Sequence, residues 1–112
     1  MERRWSPRTL VNLDVDLMSG ETSYEGRTKD VGLGGVFVEI DGKIPALESQ
    51  LDIVFKLELE DRETKHRIKA KVVRVSNVEG GVGLMFRSPD ASTFRALQDI
   101  LRSAQVAAAV VA

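Results

Sequence analysis

Arg4 and Arg8 stand at RxxxR spacing near the start of the chain, with Arg3 beside them. Farther on comes Asp30-Val31-Gly32-Leu33-Gly34-Gly35, an acidic residue leading into a glycine-rich turn. A guanidinium is planar, bonds phosphate through two parallel N–H groups and stacks on flat rings. A carboxylate accepts hydrogen bonds from the donor edge of a guanine. Brought together by folding, the two halves form a clamp for an anionic, purine-containing ligand. Neither half carries that meaning alone. Terminal arginines are most often solvated charge, Asp30 could simply bond local backbone, and three glycines by themselves could serve a bulge or bend in a strand.

The elements that must position these residues follow from side-chain alternation. Val11, Leu13, Val15 and Leu17 alternate with Asn12, Asp14 and Asp16, the period of a half-buried strand. Ser19-Gly20-Glu21 is a turn, and residues from Thr22 to Val31 return antiparallel. Val36, Val38 and Ile40 form the next strand, which ends at Asp41-Gly42; Lys43 to Gln50 reads as a loop. The strongest strand runs from Leu51 to Leu59, and Asp61-Arg62-Glu63 is expected as its hairpin turn. Ile68, Ala70 and Val72 continue the alternation, with Val73 and Val75 on the other face. Asn77 to Gly81 is a further turn before a closing strand at Gly83 to Phe86. The period then changes: Phe94, Leu97, Leu101, Ala104 and Ala108 fall at helical spacing. Ser88 or Asp90 can cap that helix, and Pro89 suits its first turn. Short antiparallel strands with regular turns predict a sandwich or small barrel with one helix against it.

The chain's 112 residues make the size of one domain, and 43% hydrophobic with 29% charged residues is the balance of a folded globule. There is no cysteine, which excludes disulfides, thiol catalysis and thiolate metal sites and fits a reducing cytoplasm. The 16 basic and 17 acidic residues leave a net charge of −1, against a general DNA or RNA binder. The local cluster of Arg3, Arg4 and Arg8 favours a small anion over a long polyanion, which needs many phosphate contacts. The apolar run from Val106 to Ala112 is too short to span a membrane. His66 is the single histidine, set between Lys65 and Arg67, and is read as structural or neutral. No nucleophile elbow, P-loop or dinucleotide fingerprint is present, so no enzyme, metal or cofactor is expected.

Taken in order, these residues resemble a PilZ domain, the bacterial module that binds cyclic di-GMP. Arg4-Trp5-Ser6-Pro7-Arg8 looks like the family's RxxxR, and Asp30 to Gly35 aligns with its [DN]-x-S-x-x-G. Lys71 to Val75 and Gly83 to Phe86 resemble two later strands of the family pattern. The resemblance implies a six-stranded antiparallel β-barrel over residues 9–87, a flexible arginine arm over 1–8 and a C-terminal α-helix over 89–108, all in one domain. It implies that Arg4 and Arg8 contact the phosphates and stack on guanine, and that Asp30 accepts from a guanine edge. Gly35 keeps the turn tight, Arg3 is an auxiliary cation, and Arg74 lies on a strand that could line the same face. Gly32 stands where the family carries serine. A missing hydroxyl weakens binding by about tenfold to hundredfold without abolishing the fold. The expected function is a cytoplasmic receptor for cyclic di-GMP, a monomer or weak dimer, that orders its arm on binding and signals to a protein partner. The alternative is a degenerate module that keeps the fold, has lost the nucleotide and acts through protein contacts.

Overall fold

The computed structural model of the chain describes residues 9–59, 62–87, 91–92 and 95–102. Its strands are β1 (Thr9–Leu10), β2 (Asp14–Ser19), β3 (Thr22–Val31), β4 (Gly35–Ile40), β5 (Gln50–Leu59), β6 (Arg62–Ser76) and β7 (Gly81–Phe86). Strands β2 to β7 follow one another around the wall as β3-β2-β5-β6-β7-β4, and β4 pairs back onto β3. All pairings are antiparallel. The result is the expected six-stranded closed barrel with a C-terminal helix, and the two-residue β1 lies along β3. Closure leaves no long unpaired edge.

Alternation decides which side chains fill the barrel. Leu51, Ile53 and Phe55 on β5 point inward and are buried, while Asp52, Val54 and Lys56 between them are half-buried. Phe55 meets Phe86 edge to face, with ring centroids 6.5 Å apart. Helical residues occupy 91–92 and 95–102. Leu97 and Ile100 enter the same core, and Leu101 packs against it. Leu97 and Leu101 belong to the expected stripe; Ile100, one turn on from Leu97, completes it. Phe94, Ala104, Ala108, the capping residues Ser88 and Asp90, Pro89 and the arginine arm lie outside the described residues.

Three of the boundaries that differ from the sequence reading bear on the barrel. The strand expected from Val11 to Leu17 starts only at Asp14, because residues 11–13 leave the ladder between β1 and β2. Thr28 explains the break. It is the one fully buried polar residue among those described. Its hydroxyl donates to the Val11 carbonyl at 2.5 Å and accepts from the Leu13 amide at 2.9 Å. The second correction concerns the turn expected at Asp61-Arg62-Glu63. Arg62 and Glu63 are already in β6, because Leu59 pairs with Arg62 and Glu58 with Glu63. Third, Gly81 opens β7 rather than ending the turn, and a Cβ there would collide with the Val38 carbonyl oxygen.

Thr28→Val keeps the shape and removes the hydroxyl, so two backbone groups lose their partner. The unfolding free energy is expected to fall by about 1–3 kcal/mol, read by chemical denaturation. An unchanged midpoint would show that the kink is held by other contacts.

Candidate functional site

Register, rather than sequence proximity, assembles the site. Leu10 pairs with Asp30, Asp30 with Phe37, Phe37 with Gly83 and Gly83 with Arg74. Directly paired residues point to the same side of a sheet. Val31, Val36, Leu84 and Val72 point inward, so this neighbouring row faces outward. It crosses β1, β3, β4, β7 and β6. Asp30 and Arg74 stand three inter-strand steps apart on it, about 14 Å at about 4.8 Å a step. Of the residues expected from sequence, Asp30 and Arg74 therefore lie on one wall, with Gly32 in the turn that follows Asp30 and Gly35 at its end. Arg3, Arg4 and Arg8 lie outside the described residues.

Two bulges shape this wall. The β3–β4 register shifts between Thr28 and Asp30, leaving Lys29 as the extra residue. The β6–β7 register shifts between Val72 and Arg74, leaving Val73 extra. A bulge re-aims the side chains beside it. Here Lys29 and Arg74 both turn over the Phe37 ring, with Nζ 6.0 Å and Cζ 4.9 Å from its centroid. Phe37 lies on the outer face and yet is only 2% exposed. Gly83 leaves room for this arrangement: a Cβ there would come within 3.3 Å of the Arg74 Cβ and 3.6 Å of its Nε.

The glycine turn joins β3 to β4. The Gly32 amide donates to the Gly35 carbonyl at 2.9 Å, and the Phe86 amide donates to the Gly34 carbonyl at 3.1 Å. The described glycines with positive φ are Gly20, Gly42 and Gly80, none of them in this turn. Glycine at position 35 answers a close approach instead, since an added Cβ would strike the Leu84 carbonyl oxygen on β7. A Cβ at Gly34 would meet open space. Asp30, half-buried beside the turn, is engaged in a polar interaction.

The charge around the wall is uneven. An open cleft of about 600 Å³ is lined by Asp14, Glu25, Glu39, Asp41 and Glu79 with Arg27, a setting that repels a dianion. A second cleft, of about 330 Å³, carries Arg67, Lys69 and Arg87, with Arg67 paired to Asp52 at 2.7 Å. Among the described residues no group of three or more histidine, cysteine or carboxylate side chains is placed to hold a metal ion. Nor is any described helix long and apolar enough to cross a membrane.

The PilZ domain model matches residues 2–103. The chain belongs to the PilZ family. Solved structures agree on the fold. The PilZ domain of YcgR from Escherichia coli, determined with c-di-GMP, superposes with a TM-score of 0.78 at 16% identity, covering 96% of this chain and 95% of that one. The Bacillus subtilis inhibitor of motility (MotI/DgrA) gives 0.72 at 25% identity over 91% of this chain. This PilZ chain spans only 51% of that protein's length. The PilZ domain of CeSA from a cellulose-synthesizing bacterium gives 0.66 at 16% identity, over 85% of this chain and 94% of that one. No curated protein matches the chain.

Sequence reasoning missed Phe37, Lys29 and Glu79 on this PilZ wall. A signal for Phe37 was present: it occupies the outward phase between Val36 and Val38, where a half-buried strand ordinarily carries a polar residue. Lys29 and Glu79 carried none, because a bulge and a distant turn bring them there.

Proposed function

We propose that the chain is a single-domain cyclic di-GMP receptor, with the arm over residues 1–8, the barrel over 9–87 and the helix over 89–108. One observation carries the reading. Backbone pairing sets Thr9 against Val31 and Leu10 against Asp30, so the root of the arginine arm lies beside the candidate carboxylate and the glycine turn. Arg8 is the next residue along the chain, and Arg4 is within about 17 Å of Thr9 by extended chain length. Membership in the PilZ family and the fold shared with the c-di-GMP-bound YcgR domain support the ligand class. In this reading Arg4 and Arg8 grip phosphate and stack on guanine, Arg3 adds charge, and Asp30 accepts from a guanine edge. Ordering the arm over the dianion changes the surface offered to a cytoplasmic protein partner, a switch without bond chemistry. The receptor acts as a monomer or weak dimer. Isothermal titration tests the proposal: saturable heat with cyclic di-GMP and none with GTP is the expected result, and silence toward cyclic di-GMP contradicts it.

Gly32 favours a second reading, in which the nucleotide has been lost and the barrel serves protein contacts. Gly32→Ser measures what the missing hydroxyl costs. Position 32 lies outside the left-handed backbone region, so a side chain there carries no φ strain. If the site is real, the restored hydroxyl is expected to tighten cyclic di-GMP binding by about tenfold. Unchanged affinity would show that the hydroxyl has no role here.

A further inference from the structure

The cations over Phe37 are already occupied by a carboxylate of the protein. Glu79 lies on the turn between β6 and β7. Its Oε1 is 3.4 Å from the Lys29 Nζ, and its Oε2 is 3.5 Å from the Arg74 Nη1. One carboxylate therefore bridges the two side chains that the bulges turn over the ring. Both contacts are long for charge-assisted bonds, and all three side chains are partly open to solvent, at 47%, 59% and 37% for Lys29, Arg74 and Glu79. Such pairs are weak and exchange readily. Arg74 also rests on the Phe37 ring with Gly83 alongside, contacts that do not involve Glu79.

We propose that Glu79 is a resident competitor: it holds Lys29 and Arg74 until a ligand phosphate displaces it. This rests on the receptor reading, in which Arg74 shares the ligand wall with Asp30. A phosphate carries the same charge type as the carboxylate and bonds a guanidinium more fully, so the exchange conserves ion pairing at both cations. Displacement returns Glu79 toward the acidic cleft with Glu39 and Asp41, which opposes release. Glu79 thus sets the ligand concentration at which the wall responds.

The turn itself does not need the carboxylate. The Glu79 amide donates to the Ser76 hydroxyl at 3.1 Å and the Gly80 amide to the Ser76 carbonyl at 2.9 Å, and both bonds survive Glu79→Gln. Calorimetric titration of cyclic di-GMP into the full chain is the test. Glu79→Gln is expected to bind about two- to fivefold more tightly than wild type. The gain is expected to vanish in a Lys29→Gln, Arg74→Gln background, which a merely structural role would not produce. Equal or weaker binding in Glu79→Gln, with affinity still lost in Arg4→Ala, Arg8→Ala, overturns the competitor and leaves the receptor standing. Silence in both wild type and Glu79→Gln overturns the two together.

Discussion

Replacing Arg4 and Arg8 together with alanine is expected to weaken cyclic di-GMP binding by at least about 100-fold, with the unfolding midpoint unchanged. On the receptor proposal each guanidinium forms charge-assisted hydrogen bonds to phosphate, about 1.5–3 kcal/mol apiece, so the pair is expected to contribute about 3–6 kcal/mol. That corresponds to about two to four orders of magnitude in affinity. Stability is expected to hold, because the barrel core is built from residues of β2 to β7 and the helix. Asp30→Ala is the companion variant on the wall itself, with an expected loss of about tenfold to hundredfold. Titration calorimetry on the variants, paired with thermal unfolding, checks both halves. Full affinity in the double arginine variant would place the phosphate grip elsewhere. The basic cleft of Arg67, Lys69 and Arg87 is then the described alternative.

The second large effect separates two neighbouring glycines. Gly35→Val is expected to cost about 1–3 kcal/mol or more of folding stability, while Gly34→Ala is nearly neutral. At Gly35 the first atom a side chain meets is the Leu84 carbonyl oxygen, part of the β4–β7 ladder. Backbone cannot swing aside as a side-chain tip can, so β4 or β7 must shift. The β4–β7 pairing carries Phe37 opposite Gly83, so that shift also disturbs the Asp30 wall. At Gly34 the same atom enters open space. Urea denaturation of the two variants distinguishes them. Equal stabilities would show that glycine at position 35 serves the ligand rather than the barrel.

Much of this was legible in the residues. Period-two alternation on β5, with Leu51, Ile53 and Phe55 against Asp52 and Lys56, specifies both the strand and its inward face. The helical spacing of Leu97 and Leu101 specified the change of element. The late start of that strand was hidden, because Val11 and Leu13 continue the alternation of Val15 and Leu17. What interrupts it is a hydroxyl on another strand, at Thr28. The bulges at Lys29 and Val73 were hidden for a related reason: each is a mismatch between two strands, and neither strand alone encodes it. Asp30 and the glycine turn were visible as a motif. The row that joins them to Phe37, Gly83 and Arg74 exists only through cross-strand register. Glu79 is joined to Lys29 across 50 positions of chain, beyond any local pattern.

Amide chemical-shift mapping during titration with cyclic di-GMP tests the central claim most directly. Saturable shifts are predicted at Leu10, from Lys29 through Phe37, and at Arg74 and Gly83, with the β2–β3 hairpin at Ser19 to Thr22 unmoved. Shifts confined to the cleft of Arg67, Lys69 and Arg87, or none at all, would contradict a nucleotide seated on the Asp30 wall.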